Sequence, residues 1–323
     1  MKTRIIDSGD LKADFFRCDL PRKDLIITFT ERTHRDLEGP GFGTSFLLKR
    51  NCDVLAIKTN RDIWYSNLTE DHIQAISSFL STIGYCYTEY ITYGSSMGAY
   101  AAIRFAGAFG ASKAIAISPI FDITLDWESR WNDDIPHLRS RSMMHDYFLG
   151  DKIDYFFVYD PHSPDSRHVS EYKKIIPAEY LHLFCTPYSG HPSGPFLRDT
   201  GILSELIYGV ISTGEFPQLK AKMSSFRKKS RDYLFWLANK ALVRKKYNWA
   251  LSLNQQALCA DPKNAEFHIQ RARILHAAGD DTSAADHAAQ AVMLNPANPY
   301  MLGYRDILLK RLAEKTANNA VSQ

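Results

Sequence analysis

Short apolar runs alternate with amphipathic stretches along the first two-thirds of the chain. Leu25, Ile26, Ile27 and Phe29 form one run, and Val54, Leu55, Ala56 and Ile57 form another. Further runs fall at 88–93, 113–118, 155–159 and 180–184. Their apolar positions are consecutive rather than alternating, which marks strands buried on both faces. Between them, residues 69–83 carry Ile73, Ile76, Phe79 and Leu80 at helical spacing, with Asn67 or Thr69 placed to cap the start. Residues 99–109 read as a helix of small residues, and residues 3–19 as a hairpin turning at Ser8, Gly9 and Asp10. The segment 30–43 is a loop rich in glycine and charge. Strands alternating with helices predict an α/β fold built on a mostly parallel sheet covered on both faces.

Residues 119–153 interrupt this alternation. They carry Phe121, Trp127, Trp131, Met143, Met144, Tyr147 and Phe148. A long insertion between two core strands is either a lid or substrate wall, or a helix and loop packed on the sheet edge.

The last third of the chain has a different period. Ala260, Asp261, Pro262, Lys263 and Asn264 recur as Leu294, Asn295, Pro296, Ala297 and Asn298, a shift of 34 residues. The same shift carries Ala238 to Ala272, Ala250 to Ala284 and Ala257 to Ala291. Small residues at a fixed period let paired helices approach closely. The expected organisation is an α/β domain over 1–214, a basic linker over 215–230, helical repeats over 231–314 and a disordered tail over 315–323.

Composition adds limits. The 323 residues are 45% hydrophobic and 23% charged, with a net charge of +3, too little to argue for nucleic acid or a membrane surface. The basic residues Lys220, Lys222, Arg227, Lys228, Lys229 and Arg231 cluster in the expected linker and read as a solvated face. Five cysteines, Cys18, Cys52, Cys86, Cys185 and Cys259, are scattered and contain no C-x-x-C, which argues against a disulfide framework or a zinc cage. Cys18, Cys86 and Cys185 lie in or beside apolar runs and are expected to be buried. No apolar leader core and no run long enough to span a bilayer appear, so a cytoplasmic protein without a membrane span is expected.

One stretch carries chemistry. Gly94, Ser95, Ser96, Met97 and Gly98 fit G-x-S-x-G, between the strand at 88–93 and the helix at 99–109. In that context the central serine sits on a strained turn with its hydroxyl aimed off the sheet, and glycines flank it because two backbones pass close together. A serine hydroxyl needs a base, and the base needs a group that fixes its tautomer. Of 11 histidines, His191 alone lies in a glycine-containing loop just past the last strand. His182 lies inside that strand and reads as a packed or surface strand residue. For the acid, Asp165 in the loop after the strand at 155–159 has the better reach, with Asp160 as the alternative. Either could instead start a turn or cap a helix. The oxyanion donors would be the N–H groups of Met97 and of Thr30 or Glu31. Trp64, Tyr65, Phe121, Trp127 and Trp131 are candidates for a substrate surface, with ordinary packing as the competing reading. His162 and His168 flank Asp165 and could offer ligands to a metal; the acyl chemistry suggested elsewhere leaves the expectation of no metal and no cofactor.

On Gly94 to Gly98, the order of elements and the Gly190–His191 pair, residues 3–214 resemble the α/β-hydrolase fold family. The 34-residue period resembles tetratricopeptide repeats, although His268 and Arg271 stand where that pattern wants large apolar residues. The first resemblance implies a serine nucleophile, an acyl-enzyme and no cofactor. The second implies peptide or protein contacts through 231–314. The HGGG loop of many lipases is missing. Three readings follow: a serine hydrolase cleaving an ester, thioester or related acyl bond of a small molecule or glycan; an acyltransferase to a sugar or other alcohol; and a non-catalytic scaffold binding a partner through its repeats.

Overall fold

A computed structural model describes residues 2–18, 24–138 and 152–321, with no side chains described beyond 315. Eight strands form one sheet: β1 Lys2–Ser8, β2 Leu11–Phe16, β3 Asp24–Phe29, β4 Asp53–Thr59, β5 Glu89–Ser95, β6 Lys113–Ile117, β7 Asp154–Tyr159 and β8 Leu181–Cys185. Their order is β1-β2-β4-β3-β5-β6-β7-β8. The β1–β2 and β2–β4 pairs are antiparallel and every other pair is parallel. This is the mostly parallel, doubly covered sheet of the α/β-hydrolase fold, followed by an all-helical C-terminal region. The central strands are buried along their length: Ile26, Ile27, Val54, Leu55, Ile91, Ala114 and Phe157 have no solvent contact. Consecutive apolar residues are required there because helices cover both faces.

Among the described residues, seven helices come before residue 230: α1 Thr44–Leu48, α2 Glu70–Thr82, α3 Met97–Arg104, α4 Asp165–Tyr172, α5 Gly194–Asp199, α6 Leu203–Thr213 and α7 Lys220–Phe226. Helix α2 starts behind Thr69 in a reciprocal cap with His72 and buries Ile73 and Ile76. Helix α7 occupies part of the segment expected to be a linker. The chain divides into two compact units, Met1–Met223 and Ser224–Gln323.

The second unit consists of α8 Arg231–Val243, α9 Tyr247–Ala260, α10 Ala265–Ala277, α11 Asp281–Leu294 and α12 Pro299–Val321. Helices α8, α10 and α12 begin 34 residues apart, as do α9 and α11. All six alanines related by that shift, from Ala238 to Ala291, are fully buried. The recurring asparagines have a mechanical role. Asn264 accepts from the Glu266 and Phe267 N–H groups, and Asn298 accepts from Tyr300 and Met301, so each caps the helix that follows.

Two further sequence expectations change. Helix α12 continues to Val321, so residues 315–321, expected to be disordered, are helical. Cys86 is exposed and Cys18 and Cys185 are half-buried, leaving Cys52, at the start of β4, as the buried thiol. Of the insertion at 119–153, residues 139–151, including Met143, Met144, Tyr147 and Phe148, lie outside the described residues. Its described part forms turns and one 3-10 turn, Ile135–His137.

Candidate active site

Ser96 stands between β5 and α3 with φ 55° and ψ −117°. The turn holds because its neighbours allow two backbones to touch. A Cβ on Gly94 would lie 2.1 Å from the Gly98 carbonyl oxygen, and one on Gly98 would lie 2.4 Å from that of Phe29. No side chain fits at either place. The first turn of α3 therefore rests directly on β3 and β5, and the end of β3 comes up beside Ser96. The Ser96 N–H donates to the Ile117 carbonyl at 2.9 Å, and its carbonyl accepts from Tyr100 at 3.0 Å. With both backbone groups tied, the hydroxyl is held above the carboxyl edge of the sheet.

The hydroxyl donates to His191 Nε2 at 2.8 Å, and His191 Nδ1 donates to Asp165 Oδ2 at 2.8 Å. Asp165 is the first residue of α4, after β7, and is fully buried. Burial raises its carboxyl pKa, but His191 and the Arg130 guanidinium outweigh that, and the net is below the ordinary range. Of the two aspartates weighed, Asp165 faces the imidazole.

Asp160 is corrected from candidate acid to loop anchor. Its Oδ1 accepts from the His162 and Tyr188 N–H groups at 2.8 and 3.0 Å, and its Oδ2 accepts from Gly190 at 2.9 Å. Sitting at the strand end, it lacks the reach of a loop residue and instead ties the loop carrying His191 to β7. A knot of buried hydroxyls secures the loop from below. Ser193 Oγ lies 2.7 Å from Ser189 and 3.1 Å from Thr186, and its N–H donates to Ser118 Oγ at 3.0 Å.

Thr30 is corrected as an oxyanion donor. Its N–H donates to the Ile57 carbonyl at 3.3 Å, because the β3–β4 register runs one residue past the strand. The Glu31 and Met97 N–H groups have no hydrogen-bond acceptor among the described residues. Met97 opens α3, where the N–H groups have no partner within the helix. Desolvation raises the Glu31 carboxyl pKa against the pull of His34, Arg198 and His191.

The aromatic candidates separate. Trp64 and Tyr65 have no exposure and present no face to a ligand. Trp64 Nε1 donates to Asp134 at 2.9 Å, and the Tyr65 hydroxyl donates to the Thr30 carbonyl at 3.0 Å. Phe121 is a core residue, packed edge-on against Tyr172 of α4 at 5.0 Å. All three are corrected to packing roles: they sit right behind strand ends, where the core closes. Trp131 is nearly buried, its ring 5.3 Å from that of His191, so it backs the imidazole. Trp127 is half-buried, its ring 4.6 Å from that of His168.

Sequence reasoning missed Glu128 and Arg130, and read His168 only as a possible metal ligand. Arg130 Nη1 donates to Asp165 Oδ1 at 2.8 Å, while its Nε and Nη2 donate to Glu128. Glu128 Oε2 accepts from His168 Nε2 at 2.8 Å. The available signal was opposite charges between two tryptophans inside an apolar insertion. The histidines flanking Asp165 point elsewhere: His162 stacks on Tyr188 at 4.4 Å and His168 faces Glu128. His182 lies flat on Phe156 at 4.5 Å and reaches Asp154 Oδ1 at 2.9 Å, a partly exposed strand histidine away from Ser96.

Neither a protein-family model nor a curated protein sequence matches the chain. Solved structures of similar fold include a capsule O-acetyltransferase of Neisseria meningitidis serogroup A, 15% identical over 58% of this chain and 87% of that one, TM-score 0.43. A lidless serine hydrolase from Xanthomonas campestris is 14% identical over 59% and 85%, TM-score 0.39. A sugar hydrolase from Lactococcus lactis is 14% identical over 59% and 84%, TM-score 0.43. No helix among the described residues is long and apolar enough to cross a membrane.

Proposed function

We propose that this chain is a serine hydrolase that cleaves an ester, thioester or related acyl bond through an acyl-enzyme on Ser96. The observation that carries the reading is the unbroken relay from Ser96 Oγ to His191 to Asp165, two contacts of 2.8 Å at the carboxyl ends of β5, β7 and β8. His191 takes the serine proton as Oγ attacks the acyl carbon. The Met97 and Glu31 N–H groups receive the oxyanion. His191 then protonates the leaving group and activates the water that releases the acyl group, while Asp165 holds Nδ1–H and balances the imidazolium. An alcohol could replace water at the last step, giving acyl transfer. Burial of Trp64 and Tyr65 takes away much of the aromatic surface that argued for a sugar acceptor, so hydrolysis is preferred. A hydroxyl within hydrogen-bond reach of an oriented imidazole weighs against an inert scaffold. For residues 231–314 we propose a tetratricopeptide-like array contacting a peptide or protein, on the strength of the 34-residue spacing of its helix starts.

The test is labelling by a fluorophosphonate, followed by turnover of nitrophenyl esters of increasing chain length. The wild-type chain should gain one adduct, located by peptide mass at Ser96. Ser96→Ala should neither label nor turn over ester, with its circular dichroism unchanged. Equal turnover by wild type and Ser96→Ala would end this reading.

A further inference from the structure

Resting on the serine-hydrolase reading, we infer that Arg130 is a positioning residue for the acid of the relay, dividing its charge between Asp165 and Glu128 so that Asp165 keeps one oxygen aimed at His191. The geometry is that of a fork. Nη1 serves Asp165 Oδ1 at 2.8 Å, which leaves Oδ2 to accept from His191 Nδ1 at 2.8 Å. A carboxylate with one donor on each oxygen does not rotate freely. The other side of the guanidinium holds Glu128, with Nη2 at 2.6 Å and Nε at 3.0 Å. The guanidinium lies over the Trp131 ring at 4.2 Å, and that ring packs against His191. Arg130 is thus fixed by two carboxylates and one aromatic face, and its hydrogen bonds go to the carboxylates.

The charges of this network suit a base that becomes cationic. Asp165 and Glu128 are buried carboxylates sharing one guanidinium. His168 is fully buried, desolvation lowers its pKa, and its Nδ1 has no hydrogen-bond partner among the described residues. Its proton therefore sits on Nε2 and is donated to Glu128 as a neutral dipole. Two negative charges against one positive leave a net negative charge facing the imidazole. That is the sign that stabilises the imidazolium formed as Ser96 is deprotonated. Without Arg130 the negative field at the imidazole would be larger, which favours the imidazolium. Without the Glu128 charge the negative field would weaken, leaving Asp165 against Arg130. Glu31, with His34 and Arg198 around it, also acts on His191. Those groups stay constant across the variants below.

The test is the second-order rate of fluorophosphonate labelling of the full chain from pH 5 to 9, with nitrophenyl acetate turnover alongside. Only neutral His191 activates Ser96, so the acid limb reports the histidine. Arg130→Met should slow labelling about 10- to 100-fold and move the acid limb to higher pH. Glu128→Gln should move the limb down. Arg130→Lys, which keeps the charge but not the fork, should recover the wild-type limb and only part of the rate. It also stands in for Arg130→Met should that variant fail to fold. Wild-type rate and limb in Arg130→Met, or limbs moving in the same direction in Arg130→Met and Glu128→Gln, would overturn the inference. In either case Ser96 would still label in the wild-type chain and not in Ser96→Ala, so the serine reading would stand. If Ser96→Ala labels like wild type, the serine reading itself has failed.

Discussion

Two aspartates five residues apart divide the labour at this site, and hydrogen-bond geometry tells them apart. Asp165 Oδ2 faces the imidazole at 2.8 Å, whereas Asp160 accepts from three backbone N–H groups at 2.8, 3.0 and 2.9 Å. The consequences of losing each should therefore be opposite in kind. Asp165→Asn keeps the shape but offers His191 the wrong partner, so the ester rate should fall about 10³- to 10⁴-fold with the melting temperature nearly unchanged. Asp160→Ala strands three backbone donors, each worth roughly 1–3 kcal/mol when left without its acceptor. Its melting temperature should drop by several degrees, and the rate at low temperature should fall far less than in Asp165→Asn. Thermal melts and initial rates on the two variants decide this. A greater loss of rate in Asp160→Ala would return that aspartate to candidacy as the acid.

At the level of elements, the strand–turn–helix around Ser96 is the part of the site most fully specified by sequence. Its two glycines are imposed by contacts of 2.1 and 2.4 Å to backbone oxygens. Gly98→Ala should push α3 away from β3, lowering stability by about 2–4 kcal/mol and cutting the labelling rate with it, as denaturant titration and fluorophosphonate kinetics would register. The central strands were legible for a related reason. Burial on both faces demands consecutive apolar residues, and chains such as Leu25 to Phe29 carry them openly. The position of His191 after the last strand was legible from element order. Which aspartate pairs with it was legible only as a preference for the loop residue Asp165 over Asp160, because reach depends on where α4 starts relative to the strand end. The oxyanion donor was equally hidden: the choice between Thr30 and Glu31 turns on one extra rung between β3 and β4. Arg130 and Glu128 escaped notice because their pairing with Asp165 spans 35 residues and is written in no local pattern. The aromatic candidates misled in the opposite direction. Trp64 and Tyr65 look like a sticky surface in sequence, yet their polar tips find partners inside and their rings fill the core.

The whole chain joins two different solutions to burying apolar surface. The first unit covers a sheet with helices, using large side chains such as Phe157 and Tyr172. The second stacks helices on small ones, with Ala250, Ala272, Ala284, Ala288 and Ala291 fully buried. Close-packed alanines tolerate added volume poorly, because no rotamer of a larger residue avoids the facing helix. Ala288 lies in α11 among Ile269, Ala272 and Met301, so Ala288→Leu should destabilise the helical unit by about 1–3 kcal/mol. If the reaction belongs to the first unit alone, that substitution should leave the fluorophosphonate rate constant within twofold of wild type at a temperature where the chain is folded. Far-ultraviolet circular dichroism would follow the loss of helix, and labelling at Ser96 would follow the site. A labelling rate that fell in step with helix content would mean instead that the repeats contribute to the competent state of the site, and the reaction would have to be assigned to the full chain.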